Sequence, residues 1–279
     1  MKYIKLVIKI ADKYQESLIA ELFDMDFDGF EQRESSIIAY IAKKNFGIND
    51  RERVDQLLGA YPGNGYIETE EIVADQNWNE QWEQTVKAQE IGSFFVKPTW
   101  SQATVPDDKI LLEIDPKMSF GTGYHETTRL MLKALPDLLD GDDTVIDAGT
   151  GTGILSIAAI KLGAKEVLAF DINEWSITNT HENILLNGIN DSITVKQGST
   201  EVITEGTRVD LVLVNIEKNV ILTLLEDLVV ALKKEGQLLL SGLLETDLPQ
   251  MKEELKDRFE IVEVYQENEW IAIQAKKIN

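Results

Sequence analysis

The chain has 279 residues, 43% of them hydrophobic, and sets 27 basic against 49 acidic side chains for a formal net charge of −22. That length accommodates two domains or one large one, and the apolar content excludes wholesale disorder. Zero cysteines and only two histidines, His125 and His181, exclude disulfides, thiolate nucleophiles, zinc-thiolate centres and multi-histidine metal sites.

The acidic field repels a phosphate backbone and draws in a cationic partner, so nucleic acid is the less favoured substrate. No apolar run reaches the roughly 18 residues of a membrane span and no charged-then-apolar leader is seen, so the expectation is a soluble, cytoplasmic protein with no membrane partner. The chemistry must then come from a cofactor or from carboxylates, amides and hydroxyls, with no resident metal.

Tyr3 to Ile10 alternates as a strand, and Tyr14 to Phe23 carries apolar residues at helical spacing. Gly29 to Glu34 and Ser36 to Ile41 read as two more strands. Asn49-Asp50 is placed to cap a helix running to Tyr61, and Gly65 to Ala74 returns as a strand. The order βαββαβ predicts a small ferredoxin-like α+β domain over residues 1–74. Residues 75–92 read as a linker, with Trp78 and Trp82 on one helix face. Those two rings and Trp100 are expected in cores or interfaces.

Residues 93–279 then alternate strands and helices. Strands are predicted at 144–147, 166–171, 192–197, 209–214 and 236–241, with helices at 125–136, 153–162, 174–187, 219–233 and 247–257. Phe259 to Tyr265 and Trp270 to Lys276 form a terminal antiparallel hairpin about Gln266-Glu-Asn. Alternation of this kind builds a mostly parallel, doubly wound sheet, whose ligands bind beyond the carboxyl ends of its strands. Asp147, Asp171 and Asn215 all fall there.

Val145-Ile-Asp-Ala-Gly-Thr-Gly-Thr-Gly153 is a strand running into a glycine turn. Glycines there allow φ > 0 and let a ligand approach the backbone. A dinucleotide fingerprint needs G-x-G-x-x-G/A, but counting from Gly149 or Gly151 puts Ile154 or Ser156 in the third place. Asp147 is expected to set a negative charge before the loop, unfavourable to a diphosphate. Asp171, at the end of the next strand, suits ribose hydroxyls. The pattern favours the sulfonium cofactor S-adenosylmethionine over NAD.

A family resemblance enters at Ile114-Asp-Pro-Lys-Met-Ser-Phe-Gly-Thr-Gly-Tyr-His-Glu-Thr-Thr128. This block, the glycine loop, Asp171, Asn183-x-x-x-Asn187-Gly, Val214-Asn-Ile216 and Leu240-Ser-Gly-Leu-Leu244 resemble the ribosomal protein L11 methyltransferases, the PrmA family. So do Trp78, Trp82 and Lys97-Pro-Thr-Trp100. The likeness covers about 200 residues from near Asn77. Thr150 and Thr152 stand where the family's loop usually reads G-C-G-S-G, Glu126 where it often has proline, and Glu217-Lys-Asn where small residues are usual.

The resemblance implies a Rossmann-like class I methyltransferase domain behind a small substrate-recognition domain. It implies S-adenosylmethionine as cofactor, held by Thr128, Gly149, Gly151, Asp171 and Asn215. It implies ribosomal protein L11 as the partner, methylated on lysine side chains and its N-terminal amine. No catalytic residue is assigned, and the oligomeric state stays open, a monomer being compatible. His125 is expected to brace its loop rather than act as a general base, and His181 to lie in a helix at or near the surface.

Three rivals remain at this point. A base methyltransferase would follow its strand-four Asn or Asp with Pro-Pro and an aromatic residue, whereas Ile216-Glu217-Lys218 follows here. An NAD-dependent oxidoreductase fails on glycine spacing. A non-catalytic adaptor would bind its partner through residues 1–74. Within the methyltransferases, another protein or a small molecule are alternative acceptors.

Overall fold

The computed structural model describes residues 2–23, 25–27, 29–63, 65–74, 86–117, 119–189 and 191–278, the side chains of Glu16, Ala20 and Ala74 excepted. The chain divides into two units, Met1–Glu80 and Gln81–Asn279.

In the first unit, β1 (Lys2–Lys9) leads through α1 (Gln15–Phe23) to the hairpin of β2 (Gly29–Arg33) and β3 (Ser36–Ala42). Then α2 (Ile48–Ala60) precedes β4 (Tyr66–Ala74). The sheet order is β2-β3-β1-β4 with every pair antiparallel, the ferredoxin-like arrangement. Period two puts Ile4, Leu6 and Ile8 of β1 on one face, all buried. Leu18 and Leu22 of α1 and Val54 and Leu58 of α2, each an i,i+4 pair, cover that face. The cap of α2 differs from expectation: Gly47 is the N-cap, and the Asp50 carboxylate reaches back to accept its N–H at 2.9 Å. A carboxylate at the third helical position reaches the N-cap N–H, the donor that the N-cap's own side chain does not serve.

The second unit begins with three short strands that periodicity does not reveal: β5 (Gln89–Ile91), β6 (Phe94–Lys97) and β7 (Ile110–Glu113). They form a separate sheet, β5 antiparallel to β6 and β6 parallel to β7. Trp78 and Trp82 lie outside the described residues. Trp100 is 39% exposed, so it is no core residue of this unit.

The large sheet follows the predicted alternation. Its elements are α3 (Glu126–Ala134), β8 (Thr144–Ala148), α4 (Ile154–Leu162), β9 (Glu166–Asp171), α5 (Glu174–Leu186) and β10 (Ile193–Gln197). They continue with β11 (Val209–Asn215), α6 (Lys218–Ala231), β12 (Leu232–Leu244), α7 (Leu248–Leu255), β13 (Phe259–Glu267) and β14 (Trp270–Lys277). The strand order is β10-β9-β8-β11-β12-β14-β13. The first five run parallel, and β14 is antiparallel to both neighbours. Helices cover both faces, so Leu211 to Val214 of β11 are fully buried as an unbroken apolar run.

The hairpin turn sits later than expected, at Asn268-Glu269 with Asn268 at φ 53°. A two-residue turn needs a positive φ, which asparagine tolerates. The winding direction reverses beside β8, which opens the crevice of a doubly wound sheet at the tips of β8, β9 and β11. No helix among the described residues is long and apolar enough to cross a membrane.

Candidate active site

The turn from β8 to α4 carries Gly149, Gly151 and Gly153 at φ 75°, 58° and 82°, the left-handed region that a side chain resists. The positive φ expected of these glycines is present, and the space beside each is also closely approached by the chain itself. A Cβ on Gly149 would lie 2.4 Å from Ile216 Cγ2, on Gly151 2.3 Å from the Phe120 carbonyl oxygen, and on Gly153 2.9 Å from Thr180 Cγ2. The absent side chains let other parts of the chain close on the loop.

Hydrogen bonds then fix it. Thr152 N–H donates to Phe120 O at 2.9 Å and its hydroxyl to Gly121 O at 2.5 Å. Thr180 Oγ1 donates to Gly151 O and Asn183 Nδ2 to Thr152 O, both at 2.9 Å. Residues 120–121 are thus part of the site's wall. The sequence marks them only through the family block that contains them, because backbone oxygens leave no residue-type signal.

Asp171 ends β9 half-buried. Its Oδ2 accepts the Gly151 N–H at 3.1 Å and its Oδ1 the Asn173 N–H at 2.9 Å. Each oxygen keeps lone-pair capacity for a further donor. Asp147 behaves differently, and the charge expected before the loop is not displayed there. The side chain is fully buried, and Oδ2 accepts hydroxyls from Thr150 at 2.7 Å and Ser156 at 2.6 Å.

Burial pushes the Asp147 carboxyl above the ordinary carboxylate range; the Ser156 and Thr150 hydroxyls oppose the rise, and the Asp171 charge adds to it. A group whose folded pKa is raised stabilises most below its unfolded pKa, about 3.9, and loses that contribution as pH rises through the folded value. Asp147→Asn keeps an acceptor oxygen for both hydroxyls. Urea titrations should show its stability relative to the parent improving as pH climbs from about 4 towards neutrality. A difference that does not change with pH would contradict this reading.

Thr128, in the first turn of α3, is fully buried, and Asn215, the last residue of β11, is 8% exposed. Asn215 Nδ2 donates to Thr128 Oγ1 at 3.4 Å. Asn215 Oδ1 is buried without a partner. A buried amide oxygen left unpaired is costly, so its persistence points to a donor supplied from outside the chain. The structure therefore draws the five predicted residues into two touching pairs, Thr128 with Asn215 and Gly151 with Asp171. Gly149 is anchored between them, its N–H on Phe170 O at 2.9 Å and its Cα facing Ile216.

His125 is the brace expected of it. Its Nδ1 accepts the Thr127 N–H at 3.3 Å and lies 2.9 Å from Thr127 Oγ1, capping α3. Its ring packs edge-on to Trp270 and against Phe120. Next to it a cavity of about 340 Å³ is lined by Ser119, Phe120, Thr122, Tyr124 and Glu126, with Ser119 Oγ buried and unpartnered. His181 lies exposed on α5. Among the described residues no cluster of His, Asp or Glu could hold a metal.

An orphaned carbonyl oxygen and a carboxylate with spare lone pairs suit a ligand that brings hydroxyl or ammonium donors. That donor set fits the polyhydroxylated, cationic S-adenosylmethionine.

The chain matches the family model described as ribosomal protein L11 methyltransferase (PrmA) across residues 6–278. It is 36% identical over 281 residues to the ribosomal protein L11 methyltransferase of Chlorobaculum parvum, an overlap of 97% of this chain and 95% of that one. The Bacillus pumilus protein of the same name is 34% identical over 274 residues, 95% and 88% of the two chains. Among solved structures, the ribosomal protein L11 methylase of Lactobacillus delbrueckii subsp. bulgaricus is 32% identical with a TM-score of 0.64. That match covers 69% of this chain and 100% of that one.

Proposed function

The chain belongs to the ribosomal protein L11 methyltransferase family, and on that premise we propose that it transfers methyl groups from S-adenosylmethionine to amino groups of ribosomal protein L11, lysine side chains and the N-terminal amine. The observation that carries the site assignment is the unpaired, buried Asn215 carbonyl oxygen, set against Thr128 at the crevice of the switch point. Thr128, Gly149, Gly151, Asp171 and Asn215 are the cofactor-holding residues of this reading. Residues 1–74 recognise the substrate and 93–279 form the catalytic domain, with the 75–92 link ending in β5 (Gln89–Ile91), which pairs with β6 of that domain. The net charge of −22 supports a cationic protein partner over a nucleic acid.

When bound, S-adenosylmethionine supplies an activated methyl on a sulfonium whose departure leaves a neutral thioether. The chain's own residues position and desolvate. Asp171 offers its remaining lone pairs to the ribose diol. The Thr128 hydroxyl accepts from Asn215 Nδ2 and so holds that amide at the tip of β11. Asn215 Oδ1 accepts an N–H, from the incoming amine or from the cofactor's methionine end. An ordinary lysine, pKa near 10.4, is neutral only about once in a thousand at pH 7.4. Withdrawal of the acceptor from water lowers that pKa and raises the competent fraction.

The test is methyl transfer from labelled cofactor to purified, unmethylated L11, with the modified amines mapped by mass spectrometry. Asn215→Ala should lower kcat/KM by roughly 10- to 100-fold, the worth of one hydrogen bond to a charged partner. Label on RNA and none on L11 would overturn the substrate; full activity in the variant would remove Asn215 from the machinery.

A further inference from the structure

The Asn183-x-x-x-Asn187 motif is not among the cofactor-holding residues proposed above, yet its side chains make a continuous set of contacts. Residues 111, 113 and 115 share one edge of β7 and its extension, because backbone groups two apart point the same way. The opposite edge is satisfied by β6, with Ile114 N–H donating to Lys97 O at 2.9 Å. On the open edge, Asn187 Oδ1 accepts the Glu113 N–H at 3.1 Å while its Nδ2 donates to Glu113 O at 2.7 Å. Asn183 repeats the pattern on Asp115, Oδ1 accepting its N–H at 3.0 Å and Nδ2 donating to its O at 3.3 Å. Lys161 Nζ of α4 completes the row, donating to Leu111 O at 2.6 Å and to Asn187 Oδ1 at 2.7 Å. The lysine also fixes the asparagine's orientation, since an ammonium only donates.

The match is geometric. Four helical residues rise about 6.0 Å and two strand residues about 6.6 Å. Asparagines at i,i+4 therefore stand opposite alternate strand residues and imitate a neighbouring strand. The next rung fails: Asn179 Nδ2 reaches back to Asp115 O at 2.9 Å and its Oδ1 is left unpaired. Pro116 and Lys117, the latter at φ 42°, have already turned the chain away. That turn starts the segment whose Phe120 and Gly121 close on the glycine loop and which ends at Thr128. Asn183 touches both ends of this arrangement, through Asp115 and through Thr152 O.

We propose that Asn183, Asn187 and Lys161 are positioning residues that set the 115–128 segment over the glycine loop, so that cofactor affinity depends on an amide ladder remote from the cofactor. The proposal rests on S-adenosylmethionine occupying the crevice. Steady-state kinetics with varied S-adenosylmethionine, beside thermal melting, tests it on Asn183→Ala and Asn187→Ala. Both should raise the KM for S-adenosylmethionine at least tenfold with kcat at saturation within about threefold of the parent. Lys161→Met should give a smaller rise of the same kind.

Should Asn183→Ala fail to fold, Asn187→Ala, which leaves the loop contact intact, carries the test alone. Variants that melt earlier but keep the parental KM would reduce the ladder to a structural role and overturn the proposal. A parent enzyme with no saturable dependence on S-adenosylmethionine would instead sink the cofactor assignment, so the two failures are distinguishable.

Discussion

Asp171→Ala should weaken S-adenosylmethionine binding by at least roughly 100-fold in calorimetric titration, the largest single affinity loss in the site. Hydrogen bonds to a charged acceptor are each worth about 1.5–3 kcal/mol, and two ribose hydroxyls meet one carboxylate in this reading. At about 1.4 kcal/mol per decade the product reaches at least two decades. The carboxylate also accepts the Gly151 and Asn173 N–H groups, so alanine loosens the loop as well. Asp171→Asn separates the effects: it keeps an oxygen for one amide and loses the charge. It should fall between parent and alanine. Unchanged affinity in both variants would detach Asp171 from the cofactor.

Gly242→Ala should cost folding stability on the order of 3 kcal/mol and abolish activity with it. Gly242 sits at φ 83°, and a Cβ there would lie 2.0 Å from Ile216 O and 2.6 Å from its carbonyl carbon. Both are main-chain atoms and cannot swing aside, and the residue they displace follows Asn215. Gly206 offers the control, at φ 86° with nothing within 4 Å of where a Cβ would stand. Gly206→Ala should show only the strain of the left-handed backbone, about 1–2 kcal/mol. Chemical denaturation of the two variants side by side separates clash from strain. Equal losses would mean that the β12 bend yields to Ile216 without penalty.

The elements that carry periodicity are legible in the amino-acid sequence. The β11 run and the i,i+4 pairs of α1 and α2 announce their burial through residue type, and a mostly parallel sheet follows from strands that alternate with helices; the order of its strands does not. Asp171 and Asn215 are legible because a polar residue ends an apolar strand where a ligand would be. The small β5–β7 sheet is not, since strands of three or four residues hold too little alternation to separate from loop.

Asp147 misleads for a different reason. Its identity suggests an exposed charge, whereas the Thr150 and Ser156 hydroxyls that internalise it belong to the loop and to α4. The glycine loop is evident in the sequence, but the reason for its glycines is only half evident. The tertiary structure alone shows Phe120, Thr180 and Ile216 pressing on those three positions. The Asn183–Asn187 spacing is visible as a motif, but its partner, the edge of β7, is not.

The most direct measurement is a crystal structure of the chain soaked with S-adenosylmethionine. The account predicts density at the tips of β8, β9 and β11, with the ribose hydroxyls within hydrogen-bonding distance of Asp171 and the methionine end against Thr128 and Asn215. The compound bound elsewhere, or a crevice that takes NADH and leaves S-adenosylmethionine in solution, would contradict it.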